Sequence, residues 1–441
     1  MVDVRVQPDG TPTRHSLLRA ILTLLAGGAA AQAVPLLLGP WLARLYTEAE
    51  YGLFTTFSAV VANLAVLACA RYEFALPMAR DEAEARDLLA LCLRVLMGVT
   101  LATSVLAALH EGLRMAGLIG RGLPLVAWMP LGVLAAGLVQ CLVMWATRAQ
   151  RFSALAGARS LQYSGASLAQ GLAGTWHAGV TGLVLAPVAC ALAASAWLSR
   201  PAPLGGWRAL WRVPLSALSG QARLHRDFPL FNAPHAFLGA LQDTLTVLLL
   251  AWWSGDAAVG LWGFALRYLK APAGLMGQAV SQALYPKLVQ QGPEAARRSV
   301  RQVMALLALA SLPLVGVLLA WGPDLFAWAF SERWRAGGEL AQGLSLYLAT
   351  HFVAAPLAVV TMAWQAQGWA LRLSVVGQCV FLAALGLGLW WGGLMTAAWC
   401  ISGAMSLYFG YYFWSLATWP LDRLPQGAGP GQGSPSGATR A

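Results

Sequence analysis

Charge is what this sequence has least of. Asp, Glu, Lys and Arg make up 11% of its 441 residues, while 58% are hydrophobic; an ordinary soluble domain carries about 25% charged residues. The deficit excludes a soluble fold of two or three domains, which the length alone would suggest. Long polar intervals are missing too: apolar runs recur about every 30 residues from Leu17 to Thr418. The ten-residue alternating segments of a transmembrane β-barrel are absent, and continuous runs such as VMALLALASLPLVGVLL stand in their place. The six cysteines, Cys69, Cys92, Cys141, Cys190, Cys379 and Cys400, form no CxxC pair. Their scatter argues against zinc and against a disulfide framework, and leaves them as small core residues. GxxxxGK[ST], HExxH and GxSxG are all lacking, as is an outer loop much longer than about 20 residues that would house a catalytic site. Neither an enzyme nor a cofactor is expected.

What remains is a polytopic membrane body. About 20 apolar residues are needed for a helix to cross the hydrocarbon core. On that ruler twelve spans are predicted, at about 17–38, 52–70, 88–109, 124–146, 153–174, 178–198, 229–253, 257–286, 303–321, 338–364, 369–391 and 393–417. The fold class expected is all-α integral membrane, with the spans divided six plus six. The longest polar interval falls after the sixth span. The domain plan is therefore an N-terminal segment 1–16, an N-lobe 17–198, a linker 199–228, a C-lobe 229–417 and a Gly-, Pro- and Ser-rich tail 418–441 expected to be disordered. Residues 1–16 contain acids and no apolar core, unlike a cleavable signal peptide.

Positive charge sets the orientation, because Lys- and Arg-rich loops stay on the cytoplasmic side. With twelve spans and the N-terminus inside, 20 of the 29 basic residues fall in cytoplasmic segments and five, Arg44, Arg114, Arg121, Arg333 and Arg335, fall outside. Both termini are thus expected in the cytoplasm. The net charge of +11 reads as topology and attraction to anionic lipid, with no nucleic-acid partner implied. Arg94, Arg159, Arg267 and Lys270 remain within the spans.

The halves echo one another. SGDAAVGLWGFALRY at 254–268 aligns with YTEAEYGLFTTFSAV at 46–60, placing Glu48 over Asp256, Gly52 over Gly260, Leu53 over Leu261 and Phe54 over Trp262 at one offset of 208 residues. Both copies run in the same direction, as in a parallel repeat about the membrane normal.

Polar stripes mark three spans. On a helical wheel Gly263, Lys270, Gly274, Gln278, Ser281 and Tyr285 fall within about 60° of Arg267. Asn232, His235, Gly239, Gln242, Asp243 and Thr246 form a second stripe, and Arg159, Gln162, Tyr163 and Gln170 a fainter third. A charge at the bilayer centre costs at least about 3 kcal/mol, so such residues normally face a bundle interior or a wet cavity. Asp243 and Arg267 sit at matching depth and are also candidates for a plain buried ion pair. Lys270, Arg159 and Arg71 would stay uncompensated, and surplus cations favour an anionic ligand. The only carboxylate deep in a span, Asp243, is the first candidate for coupling to Na⁺ or H⁺, and His235 the second. His235 and His351 also read plainly as helix-contact residues. Pro272, beside Lys270, is expected to bend its helix at the cavity. RYEFALPMARDEAEARD at 71–87 carries paired acids but reads as a solvated inner loop of mixed charge.

These stretches resemble the bacterial polysaccharide and lipopolysaccharide biosynthesis exporters, the oligosaccharide flippases of the multidrug/oligosaccharidyl-lipid/polysaccharide exporter superfamily. LARLYTEAEYGLFTTFSAVV, ACARYEFALPMARDEAEA, RDFPLFNAPHAFLGALQDTLTVLLLAWWSGDAAVGLWGFALRYLKAPAGLMGQAVSQALYPKL and DLFAWAFSERWRAGGELAQ carry the likeness. The resemblance implies a MATE-like architecture, two six-helix lobes around a central cavity, in the cytoplasmic, inner membrane of a bacterium. It also implies export of polyprenyl-diphosphate-linked oligosaccharide for surface polysaccharide such as O-antigen or exopolysaccharide, alongside a polysaccharide polymerase complex. A diphosphate suits an Arg and Lys cluster, so Arg71, Arg159, Arg267, Lys270 and Gln278 are the expected substrate-binding residues, with Arg71 at the entrance. An ion-coupled multidrug or metabolite exporter is the alternative. A cation-selective pocket should be acidic or aromatic, which fits this basic interior poorly.

Overall fold

The computed structural model describes residues 33–118, 123–200 and 206–421. Residues 17–32 of the first predicted span and most of the expected disordered tail lie outside the described residues. Among the described residues there is no strand. The helices are α1 Gly39–Leu45, α2 Glu48–Val66, α3 Glu82–Met115, α4 Met129–Arg148, α5 Phe152–Ser160, α6 Ala166–Thr175, α7 Gly179–Leu198, α8 Trp207–Trp211, α9 Leu215–Leu224, α10 Ala233–Leu269, α11 Ala271–Gln290, α12 Pro293–Phe330, α13 Arg335–Ala363 and α14 Gln367–Ala417.

Every predicted span from the second to the twelfth falls on helix. Eight helices among the described residues are long and apolar enough to cross a membrane, fewer than the predicted spans for local reasons. The 37-residue α10 is interrupted at Gly255, whose φ of 84° takes it out of helical geometry. The 51-residue α14 is interrupted at Gly392 and Gly393. Its two arms fold back on each other: a Cβ at Gly388 would collide with the backbone of Ala397, and the Tyr408 hydroxyl donates to the Leu373 carbonyl at 3.0 Å. The predicted fifth span is broken by a π-helical turn at Leu161–Gly165 between α5 and α6. A π turn carries an extra residue and rotates the face that follows. Gln170 is accordingly buried, with its amide donating to the Leu183 carbonyl at 2.8 Å. It is a helix anchor and leaves the predicted stripe.

The chain divides into two compact units, residues 1–251 with 255–260 and residues 252–254 with 261–441. In the first, Leu88, Leu89, Cys92 and Leu96 of α3 pack with Val133, Cys141 and Leu142 of α4 and Val184 and Leu198 of α7 in one continuous core. Helix α2 starts at a capping box: the Thr47 hydroxyl accepts from the Glu50 N–H at 3.2 Å, and the Thr47 N–H donates to the Glu50 carboxylate at 2.8 Å. Such reciprocal bonds satisfy two otherwise orphaned donors.

The internal repeat meets itself here. A Cβ at Gly52 would collide with the carbonyl of Asp256, and a Cβ at Gly260 with the carbonyl of Glu48. Each glycine therefore faces the carbonyl four residues before its repeat mate, a backbone-to-backbone crossing that only small residues permit.

In the second unit the fully buried Trp334 and Phe264 rings stack at 4.0 Å, with Phe330 packed edge-on against Phe264. Helices α12 and α13 cross where Gly322 meets Gly338. The Ser402 hydroxyl of α14 donates to the Gly343 carbonyl of α13 at 2.6 Å.

Candidate functional site

The first unit brings the predicted Arg71 into a built setting. Between α2 and α3 the chain forms a 3-10 helix, Tyr72–Met78, packed on α3, α4 and the π-helical turn Phe228–Asn232. Arg71 caps this short helix with φ 65°, a left-handed conformation uncommon for a residue with a side chain. Its Nε donates to the Asn232 Oδ1 at 2.9 Å, and its guanidinium carbon lies 4.2 Å from the centroid of the Phe74 ring. Both contacts orient the group without cancelling its charge.

The loop expected to be solvated is instead buried in its first part. Tyr72, Glu73, Ala75 and Leu76 are all under 9% exposed, Glu73 at 3%. Segment Tyr72–Met78 fills the surface between α3 and α4, which draws Glu73 in with its apolar neighbours. Glu73 Oε2 has no hydrogen-bond partner among the described residues. Burial, reinforced by the nearby Cys69 thiol, pushes the Glu73 carboxyl up to about 7; its own backbone N–H and Arg71 pull the other way and are outweighed. Glu73 is the functional candidate that the sequence hid. Its adjacency to Arg71 in the RYE stretch was the one available signal.

Asn232, His235, Gly239 and Asp243 are exposed on one face, whereas Thr246 is buried. Asn63 Nδ2 and the Thr244 hydroxyl tie α10 to α2 through the carbonyls of Phe237 and Ala59, at 3.5 and 3.2 Å. Arg159 is exposed at the end of α5. Asp243 and Arg267 belong to different units, and each is described in its own surroundings.

In the second unit the eighth predicted span is bent. Lys270 stands at the junction of α10 and α11, with Pro272 in the first turn of α11. The predicted bend at Pro272 is present, since proline withdraws an N–H from the helix ladder. The straight wheel that linked Arg267 to Gln278 therefore holds only up to Leu269. The side chain of Gln278 lies outside the described residues. Arg267 and Lys270 are both half-buried. Lys270 Nζ lies 6.0 Å from the Tyr347 ring centroid. Tyr347 in turn neighbours His351 and Phe381, each at 5.8 Å between centroids. An aromatic face attracts a cation while leaving its charge uncompensated. Among the described residues no acid lies within ion-pair distance of Arg71, Arg267 or Lys270. The same residues hold no cluster of three or more metal-ligating side chains.

Residues 41–337 match the family model described as polysaccharide biosynthesis protein. The chain belongs to that family. Solved structures supply the fold: one described as the inward-facing conformation of a multidrug resistance MATE family transporter of the MOP superfamily is 15% identical. It covers 90% of this chain and 97% of its own, at a TM-score of 0.65. The Vibrio cholerae MATE transporter VcmN is 16% identical over 91% of this chain and 95% of its own, at a TM-score of 0.51. No curated protein sequence matches. The protein is thus a multi-pass, all-α membrane protein of a polysaccharide-biosynthesis family with the MATE transporter fold.

Proposed function

We propose that this chain is a flippase that moves a polyprenyl-diphosphate-linked oligosaccharide from the inner to the outer leaflet of the bacterial cytoplasmic membrane, by alternating access, for surface polysaccharide assembly. The observation that carries this reading, given the family, is a set of half-buried cations held by neutral groups: Arg71 by Asn232 and Phe74, Lys270 by Tyr347. Side chains positioned in this way keep their charge for an incoming anion. In this reading Arg71 and Arg159 in the first unit and Arg267, Lys270 and Gln278 in the second each contribute to substrate binding, while the glycan is solvated by polar side chains and the prenyl tail stays in lipid. Both termini face the cytoplasm, and a polysaccharide polymerase complex receives the product. Asp243, with His235 as second choice, takes a coupling Na⁺ or H⁺.

The test is a leaflet assay in cells lacking the protein. Complete lipid-linked units accumulate on the inner face and reach the outer face when the intact protein is restored. Units that appear outside without it, in a strain with no second flippase, refute the assignment and favour the exporter reading.

A further inference from the structure

Glu73 has no part in the proposed transport path, yet it lies two residues from the cation assigned to the entrance. Its environment is specific. Glu73 is 3% exposed, one carboxyl oxygen has no hydrogen-bond partner among the described residues, and the segment that carries it is packed on α3 and α4. A charged carboxylate in such a place is costly unless paired, and no cation is within ion-pair distance among the described residues.

The groups around it can be named element by element. From its own segment come Arg71, the Cys69 thiol and Tyr72, whose hydroxyl donates to the Ala222 carbonyl at 3.4 Å. Helix α4 contributes the Cys141 thiol and α3 the Cys92 thiol, both in the same buried core as Cys69. The turn Phe228–Asn232 offers no titratable side chain, only the amide that accepts from Arg71. Among the described residues Arg71 is therefore the one full positive charge that acts on Glu73, and three thiols and a phenol provide no replacement for it.

Building on the reading of Arg71 as a diphosphate ligand, we propose that Glu73 is a proton-binding site that sets the anion affinity of Arg71. With the proton on, Glu73 is neutral and the Arg71 guanidinium is free to pair with the diphosphate. With the proton off, the buried carboxylate is itself the nearest anion, and the substrate competes with it. The carboxyl's rise to about 7 places this exchange at cellular pH. Coupling of this kind is reciprocal: whatever factor the proton contributes to anion binding, the anion returns to proton binding. The proton is thus taken up together with the headgroup at this site, independently of Asp243.

The experiment uses the full chain in lipid nanodiscs and, as probe, a farnesyl-diphosphate-linked monosaccharide, a diester whose charge does not change between about pH 6 and about pH 8. Probe affinity is measured by calorimetry for the wild type, Glu73→Gln and Arg71→Ala. The wild type is expected to bind about tenfold more weakly at the higher pH, Glu73→Gln to bind tightly at both, and Arg71→Ala weakly at both. In parallel, infrared titration should show one carboxylic-acid band that disappears near neutrality, is missing in Glu73→Gln, and moves up by about one pH unit when probe is bound. A wild type that binds the probe with no pH dependence, or a Glu73→Gln variant that keeps the dependence, overturns the Glu73 proposal alone. Unchanged affinity in Arg71→Ala, or no probe binding by the wild type at either pH, overturns the substrate reading and the coupling with it. If the infrared band does not titrate between those limits, Glu73 is not the proton site whatever the probe does.

Discussion

Arg71 is held from two directions and Lys270 from one. An amide accepts from Arg71 and a ring lies under it, both on packed secondary structure. Lys270 has a single aromatic neighbour at 6.0 Å and sits where its helix is bent by Pro272. The first arrangement suits a group that must meet its ligand in one orientation; a planar guanidinium with a fixed fork gains from such positioning. The second suits a compact charge on a flexible stem, whose position changes whenever the bend does. Two cations that look alike on a hydropathy plot are thus built for different work.

The largest expected effect comes from removing the fixed cation. Arg71→Gly takes away the charge and at the same time suits the φ of 65°, which glycine adopts without strain. Flippase transport should fall by tenfold or more while thermal stability is unchanged or rises by about 0.5 kcal/mol. Equal losses of transport and stability would mean that Arg71 serves the fold.

Next in size is a pH effect confined to the first site. The Glu73 carboxyl sits at about 7, against an ordinary value of 4.5. Between those values the folded chain holds a proton that the unfolded chain has released, so stability is full below about pH 4.5, declines as pH rises to about 7, and is level above that. Glu73→Gln removes the decline. It should melt higher than the wild type at pH 8, by up to about 3 kcal/mol, and equally at pH 4.5. A constant difference across that range would show that the carboxyl does not titrate there.

A smaller effect distinguishes the two cations by exchange. Lys270→Arg should keep most transport, because one ring and a bend tolerate either head group, whereas Arg71→Lys loses the bond to Asn232 and should cost roughly 1–2 kcal/mol in transition-state binding, or about tenfold in rate. Equal tolerance at both positions would erase the distinction. The smallest change is Tyr347→Leu, expected to weaken probe binding about two- to fivefold, in line with a cation–π contact of about 0.5–1 kcal/mol. No change in affinity would remove Tyr347 from the site.

The fold was legible because its signal is run length. Spans two to twelve fall on helix, and the bend at Pro272 follows from a missing N–H. What stayed hidden breaks the assumption of 100° per residue. The π turn at Leu161–Gly165 swings Gln170 into the protein interior, and no residue type in LQYSG announces it. Segment Tyr72–Met78 is seven residues of 3-10 helix, too short for a periodicity to emerge, so Glu73 was indistinguishable from the solvated acids Asp81 and Glu82 that follow. The same reading took all six cysteines as core. Cys69, Cys92 and Cys141 are buried, but Cys379 is exposed, since one-letter hydropathy does not say which side of a helix meets lipid.

The crossing of Gly52 with Gly260 constrains how this chain can vary. A bulky intruder in a protein interior is often rescued by trimming whatever it strikes, but here the obstruction is main chain on both sides, the carbonyls of Asp256 and Glu48, which no side-chain change removes. Neither position can compensate for the other. Two sites 208 residues apart in sequence therefore behave as a single locus without suppressors. Saturation mutagenesis should find glycine alone retained at both, with no second-site revertant at the partner glycine.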